Sequence, residues 1–145
     1  MKKVYVNEDW CINCRLCEYN CAYANSGKSS MVNALKNQTI YPRIHVEGDN
    51  IHSFAVSCRH CEDPICVKSC ICGALSKKDG VVSIDHDKCI GCRTCILVCP
   101  YGAILQDDAG VMLKCELCTK NAAGSPACVA GCPNRAIVYE ERDGE

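Results

Sequence analysis

The sequence predicts an α+β fold in which short hairpins and helices form two nested units. Cysteine fills 17 of the 145 positions, in four groups of four with one left over. Large apolar side chains are scarce, with one Phe, one Trp and three Met. Strand-like segments lie near both ends of the chain and between the two middle groups. A chain with so little hydrocarbon to bury needs cross-links or metals to be stable.

The cysteines are expected to be reduced thiols rather than disulfides. An odd number of cysteines fits a closed disulfide framework poorly. The sequence shows neither an apolar export signal nor an apolar run of about 20 residues, the length needed to cross a membrane. We therefore expect a cytoplasmic protein without a membrane span, in which thiols bind metals or act in catalysis. The net charge of −1, without a basic block, argues against a nucleic-acid partner.

The four groups share an ending, C-x3-C. Groups one and three are spaced C-x2-C-x2-C-x3-C, group two C-x2-C-x4-C-x3-C, and group four C-x2-C-x9-C-x3-C. Pro100 follows group three and Pro133 follows group four. In chain order the groups are Cys11, Cys14, Cys17 and Cys21; Cys58, Cys61, Cys66 and Cys70; Cys89, Cys92, Cys95 and Cys99; and Cys115, Cys118, Cys128 and Cys132.

This spacing suits a [4Fe–4S] cubane, whose four irons each take one thiolate. A tight C-x2-C-x2-C loop can reach three irons. The fourth cysteine lies one helical turn further on and, in two-cluster ferredoxins, binds the other cluster. Zinc is the main alternative, but structural zinc prefers two C-x2-C pairs separated by a longer loop. The sequence therefore predicts four [4Fe–4S] clusters and a core dominated by them.

Groups two and three are expected to form an inner ferredoxin-like unit over residues 51–110. A predicted hairpin joins them: a strand begins at 73–75, a turn covers Lys77–Gly80, and a strand returns over Val81–Ile84. This is the layout of a bacterial two-cluster ferredoxin.

Groups one and four are left to form an outer ferredoxin-like unit of residues 1–50 and 111–145. The strand-like segments Lys3–Val6 and Ala136–Tyr139 are expected to pair in a terminal sheet. An insertion at 22–50 starts with a polar, helix-compatible stretch. It leads into a hairpin with strands at Ile44–Val46 and Ile51–Val56 and a turn at 47–50.

Crossing of the fourth ligand gives four predicted cluster sites. They are Cys11, Cys14, Cys17 and Cys132; Cys58, Cys61, Cys66 and Cys99; Cys89, Cys92, Cys95 and Cys70; and Cys115, Cys118, Cys128 and Cys21. Metal loading and folding should then be one event, because each loop is tied to another loop through iron.

The stretch from Cys58 to Cys70, with Gly73-Ala74-Leu75 after it, resembles the second motif of the four-cluster iron–sulfur subunits. That superfamily includes the electron-transfer subunits of DMSO reductase, formate dehydrogenase and hydrogenase complexes. The opening from Cys11 to Glu18 is most similar to its soluble CooF-, HycB- and HydN-type members. The resemblance implies the same crossed pairing and a roughly linear order of clusters, in which the two pairs meet in the middle.

The resemblance also implies a non-catalytic electron-transfer subunit of an oxidoreductase complex in anaerobic metabolism. Its expected partner is a catalytic subunit of the CO dehydrogenase, formate dehydrogenase, hydrogenase or aldehyde oxidoreductase type. A second redox protein, a ferredoxin or flavoprotein, is a further expected partner. Two alternatives stay open: a free polyferredoxin carrier, and a scaffold or filament-forming subunit whose clusters only stabilise it. Catalysis by this chain is not expected, because no nucleophile–base pair or open metal site is visible.

Two residues near the groups have competing interpretations. Cys72, the seventeenth cysteine, follows Cys70 by two positions. It is interpreted as a small core residue rather than an alternative ligand or a redox-labile thiol. Among the four histidines, ligation of a cluster is least unfavourable at His60, but it is not expected.

Overall fold

The computed structural model describes residues 1–49, 51–120 and 123–142, and it confirms the α+β class. The described strands are β1 (Lys3–Val6), β2 (Ile44–Gly48), β3 (Ser53–Ser57), β4 (Leu75–Lys78), β5 (Val81–Ile84), β6 (Ile104–Gln106), β7 (Met112–Lys114) and β8 (Ile137–Glu140). The described α helices are α1 (Leu16–Ala24), α2 (Met31–Leu35), α3 (Ile65–Lys68), α4 (Thr94–Val98) and α5 (Ala127–Ala130). None of these helices is long and apolar enough to span a membrane.

The two ends of the chain pair with each other. β1 and β8 form an antiparallel two-stranded sheet in which Val4 lies opposite Tyr139. The predicted terminal sheet is therefore confirmed, although β8 covers Ile137–Glu140 rather than Ala136–Tyr139. This pairing brings the segments that carry groups one and four to the same side of the molecule.

The hairpin of β4 and β5 joins groups two and three, as predicted, but its turn is shorter than expected. Lys77 and Lys78, predicted to lie in the turn, belong to β4 and pair with β5. Asp79 and Gly80 make the turn, with φ angles of +49° and +81°. Two consecutive positive φ angles are typical of a type I′ turn, which Asp-Gly favours because its twist matches that of the flanking strands.

The hairpin of β2 and β3 was predicted, with its second strand beginning too early. Ile51 and His52 lie before β3, where their backbone N–H groups donate to Asp49 Oδ1 at 2.8 and 2.7 Å. An aspartate that accepts from residues after it in the chain stabilises a turn instead of a ladder. Residue 50 of the predicted turn lies outside the described residues. The polar stretch before this hairpin contains the short helix α2.

A third hairpin, of β6 and β7, is not among the elements that the sequence predicts. It crosses the expected boundary between residues 110 and 111, just as the β2–β3 hairpin crosses the one between 50 and 51. The division into an outer and an inner unit stays a prediction.

The short helices begin where the backbone permits a helical start. Pro64 and Pro126 directly precede α3 and α5. A proline at a helix start costs no hydrogen bond, because the first N–H groups of a helix have no partner within it. α1 and α4 instead follow Arg15 and Arg93, which are in the left-handed conformation.

Among the described residues, buried side chains form two clusters, and cysteines belong to both. One joins the terminal sheet to the β2–β3 hairpin and includes Val4, Ile44, Ile137, Cys17, Cys21, Cys115 and Cys128. The other joins the β4–β5 and β6–β7 hairpins and includes Leu75, Val82, Ile104, Met112 and Cys95. The thiols thus occupy interior positions that larger apolar side chains fill in most domains.

Candidate functional site: four cysteine-lined cavities

A left-handed residue recurs in all four cysteine loops. In each group the residue directly before the second cysteine has a positive φ: +56° at Asn13, +47° at His60, +70° at Gly91 and +56° at Leu117. A residue other than glycine adopts this conformation at a cost of about 1 kcal/mol or more. Its repetition at equivalent positions indicates that each loop requires this bend in order to wrap around the same kind of group.

The sixteen grouped cysteines line four cavities, and we call the four grouped cysteines of each cavity a quartet. The first quartet is Cys11, Cys14, Cys17 and Cys132; the second is Cys58, Cys61, Cys66 and Cys99; the third is Cys89, Cys92, Cys95 and Cys70; the fourth is Cys115, Cys118, Cys128 and Cys21. These are the sets that the sequence predicts to share a cluster. Ligation of iron by them stays a prediction.

Each quartet is completed by a cysteine from another group, and one helical turn explains how. Residues four apart lie on the same face of a helix, one above the other. A helical turn that lies between two cavities can therefore place its first cysteine in one cavity and its second cysteine, four residues later, in the other. α1, for example, places Cys17 in the cavity of the first quartet and Cys21 in that of the fourth. The equivalent pairs at α3, α4 and α5 are Cys66 and Cys70, Cys95 and Cys99, and Cys128 and Cys132.

Backbone N–H groups donate to the sulfurs of several quartet members. The donor and acceptor pairs are Arg43 N and Cys21 Sγ at 3.2 Å, His60 N and Cys58 Sγ at 3.5 Å, and Leu117 N and Cys115 Sγ at 3.4 Å. Such bonds stabilise a thiolate relative to a thiol. They are also one of the means by which proteins adjust cluster potentials.

Burial works in the opposite direction and makes a free thiolate unfavourable. It raises the pKa of Cys17 and of Cys115 from 9.0 to about 12, and it also raises that of Cys128. For Cys115, which is 8% exposed, this is equivalent to about 4 kcal/mol against an uncompensated thiolate. Iron takes the place of the proton in a metal-bound thiolate and compensates its charge. The buried thiols therefore fit a metal centre.

Shared helices and side-chain packing place the cavities in a row. The first and fourth quartets share α1 and α5, which pack against each other. Cys58 of the second quartet packs against the cluster of buried side chains that contains Cys115 and Cys128 of the fourth. The second and third quartets share α3 and α4, which pack against each other. The order of quartets is therefore first, fourth, second, third.

The quartets at the two ends of this row reach the surface. Cys14 of the first quartet and Cys92 of the third are exposed. Ile12 and Ile90, in the same two loops, are 61% and 65% exposed. In contrast, the fourth quartet contains three buried cysteines.

Cys72 lies beside the third quartet. Its Sγ is 3.6 Å from Cys70 Sγ, and it lines the same cavity while remaining half-buried. The cavity thus has a fifth thiol in its lining, and the interpretation of Cys72 as a small core residue stays a prediction.

The free edge of β5 uses side chains that the sequence did not single out for this role. The N–H of Val82 donates to His60 Nδ1 at 3.0 Å, and that of Ile84 donates to Glu116 Oε1 at 3.0 Å. His60 is 1% exposed, and burial, followed by the charges of Lys114, Lys3 and Lys77, lowers its pKa to about 3. Since Nδ1 accepts a hydrogen bond, the neutral ring carries its proton on Nε2.

The donor set indicates which kind of metal centre the cavities suit. Within residues 1–49, 51–120 and 123–142, no three Cys, His, Asp or Glu side chains form a site for a single metal ion. A cubane presents four irons, so its ligands surround a volume rather than one point. The four thiols of each quartet, with bent loops and N–H groups directed at sulfur, fit such a group.

Comparison with known proteins also indicates iron–sulfur chemistry. Residues 50–142 match the model of the 4Fe-4S dicluster domain, and residues 8–24 match that of a 4Fe-4S binding domain. An iron-sulfur protein of Rhodospirillum rubrum is 37% identical over 156 residues, which cover 97% of this chain and 82% of that protein.

Two further relatives carry names that describe a role. Electron transport protein HydN of Escherichia coli (strain K12) is 39% identical over 150 residues, which cover 92% of this chain and 84% of that protein. A probable iron-sulfur subunit from the Frd operon of Proteus vulgaris is 38% identical over 128 residues, which cover 77% of this chain and 81% of that protein.

The buried, neutral His60 predicts a pH dependence of stability. Its pKa is near 6.5 when unfolded and about 3 when folded, so below pH 6.5 the unfolded chain binds a proton that the folded chain does not. His60 should therefore lower the free energy of unfolding by about 2 kcal/mol between pH 7 and pH 5. His60→Asn keeps an acceptor for Val82 and tolerates the positive φ, and it should lose this part of the pH dependence.

Anaerobic guanidinium unfolding of both proteins at pH 7 and pH 5 measures the effect. The wild type should lose more stability on acidification than the variant. An equal loss in the two proteins would show that His60 is not held neutral by burial.

Proposed function

The chain belongs to the 4Fe-4S dicluster domain family, and we propose from this that it holds four [4Fe–4S] clusters and relays single electrons between them. The four quartets supply the sixteen thiolate ligands. The chain acts as an electron-transfer subunit and exchanges electrons with a catalytic oxidoreductase subunit of the CO dehydrogenase, formate dehydrogenase, hydrogenase or aldehyde oxidoreductase type. The substrate reaction takes place on that partner, in the cytoplasm.

One observation carries the proposal: each cavity is lined by four of the grouped cysteines, three from one group and one from another. A [4Fe–4S] cluster with four thiolates supplies one-electron transfer and has no open coordination site. The residues around the quartets hold the ligands in place and control their surroundings. The loops fix the thiols, the amide N–H groups favour their ionised form, and the apolar side chains of the two buried clusters exclude water.

The row of cavities supports a relay with two outlets. Its end quartets, the first and the third, contain the exposed thiols of Cys14 and Cys92. Electron exchange with a partner requires close approach, and the exposed Ile12 and Ile90 supply apolar contact surface at the same two loops. One end therefore serves the catalytic subunit, and the other serves a second redox protein such as a ferredoxin or flavoprotein.

Relatives support a role beside an enzyme. One relative is named an electron transport protein and another an iron-sulfur subunit. Together with the four-thiol cavities, these names favour a subunit that passes electrons over a protein that transforms a substrate itself.

The number of irons tests the proposal directly. Protein purified without oxygen should contain about sixteen irons per chain and show broad absorbance near 400 nm, because each quartet holds four irons. Iron and protein are measured on the same sample. A colourless protein, a zinc-containing one, or one with about four irons or fewer would contradict the proposal.

The crossing of ligands has its own test, since Cys21 lies in group one but lines the cavity of the fourth quartet. Cys21→Ser should reduce the iron content by up to about four irons per chain. Native alkylation followed by mass spectrometry should then label the other members of the fourth quartet, Cys115, Cys118 and Cys128.

Cys72→Ser is the matched control, because Cys72 belongs to no quartet and the variant should keep the full iron content. Labelling of Cys11, Cys14 and Cys17 in the Cys21→Ser protein would show that group one binds its own cluster with four ligands. That result would contradict the crossed assignment while leaving the number of clusters intact.

A further inference from the structure

A buried lysine lies at the contact between the β4–β5 hairpin and the fourth quartet. Lys114 is the last residue of β7, is 1% exposed, and directly precedes Cys115. Its Nζ donates to the carbonyl oxygen of Cys115 at 2.6 Å and also to that of Val82. Cys115 and Val82 belong to different clusters of buried side chains, so the side chain of Lys114 joins the two clusters.

The charge of Lys114 has no protein counter-ion in the described part of the chain. The ion pairs found there involve other residues, and no carboxylate pairs with its ammonium. His60 cannot compensate the charge, because its accepting nitrogen is used by Val82 and its other nitrogen carries the proton. Glu116, the nearest acid along the chain, accepts from Ile84. A buried and unpaired charge is costly, so a negative group is expected close to it.

Two quartets provide that negative charge, one on each side. The two carbonyls to which Lys114 Nζ donates lie at these two cavities: Val82 lines that of the second quartet, and Cys115 lines that of the fourth. The second and fourth quartets are the two middle members of the row. A cubane with four thiolates carries net negative charge, and reduction makes it more negative still.

We propose that Lys114 is the shared counter-charge of the clusters in the second and fourth quartets and raises the reduction potential of both. It thereby favours electron occupancy at the centre of the row, where an electron crosses between the β4–β5 side and the terminal-sheet side of the molecule. Lys114 is a positioning residue and binds no iron itself. The inference rests on the proposed function, because it requires clusters in these two quartets.

Three substitutions separate charge from hydrogen bonding. Lys114→Gln keeps N–H donors for the two carbonyls and removes the charge, while Lys114→Arg keeps both. Lys114→Met removes both. Lys36→Gln is the matched control. It makes the same change of charge at an exposed position, and Lys36 lines none of the four cavities. All are compared with the wild type by anaerobic redox titration followed by EPR.

The expected result is a shift of two of the four reduction steps to more negative potentials in Lys114→Gln, with the other two unchanged. Lys114→Arg and Lys36→Gln should keep the wild-type potentials. No shift in Lys114→Gln, or an equal shift of all four steps, would overturn the inference. So would a shift that appears in Lys114→Met alone, because the side chain would then act only through its hydrogen bonds.

Iron content decides the cases in which a variant does not load its clusters. If Lys114→Gln fails to load iron while Lys114→Arg loads fully, the charge is needed for assembly, which supports a counter-charge. If both fail to load, the exact shape of lysine is what matters, and the inference is wrong. A wild-type protein without the four clusters would instead refute the proposed function, so the two failures are distinguishable.

Discussion

The rest of the structure depends on the three-residue spacing between the last two cysteines of every group. One helical turn separates these cysteines, and that turn lies between two cavities. The chain therefore cannot complete one quartet without bringing a second loop into place. Strand pairing at the termini, the contact of α1 with α5 and the contact of α3 with α4 all bring together the segments that this crossing requires.

The crossing also explains why so small a hydrocarbon core is sufficient. The loops hold left-handed residues at equivalent positions and bury thiols whose ionisation is unfavourable. Neither feature stabilises a chain by itself. Iron–thiolate bonds supply the compensating free energy in the proposed state, since binding free energy at a site that exists only in the folded chain is folding free energy. Lys114, buried without a carboxylate partner among the described residues, fits the same balance of charge, with the proposed [4Fe–4S] clusters as its counter-ions.

Much of this arrangement could be predicted from the sequence, and the reason is chemical. Cysteine spacing is a strict signal, so the sets of thiols that line the cavities are those that the spacing predicts. Terminal pairing of β1 with β8 was also predictable from two short apolar strands. The bounds of turns were less predictable: the sequence predicts a turn over Lys77–Gly80, yet Asp79 and Gly80 make it alone while Lys77 and Lys78 pair with β5.

The features that could not be predicted from the sequence depend on contacts between distant segments. From the sequence alone, Lys114 would be expected at the surface and His60 at the surface or among metal ligands. Both are buried against the edge of β5, where His60 accepts from the N–H of Val82 and Lys114 donates to its carbonyl oxygen. The β6–β7 hairpin has strands of three residues, which carry too few positions to show an alternating pattern.

Removal of iron from the folded protein tests the dependence of the fold on its quartets most directly. Far-ultraviolet circular dichroism, recorded without oxygen before and after treatment with a strong iron chelator and a thiol reductant, reports the hairpins and helices. Loss of the secondary-structure signal together with the iron is the predicted result. An iron-free chain that keeps its circular dichroism and unfolds cooperatively would contradict it, because the polypeptide would then fold without the bonds that join its loops.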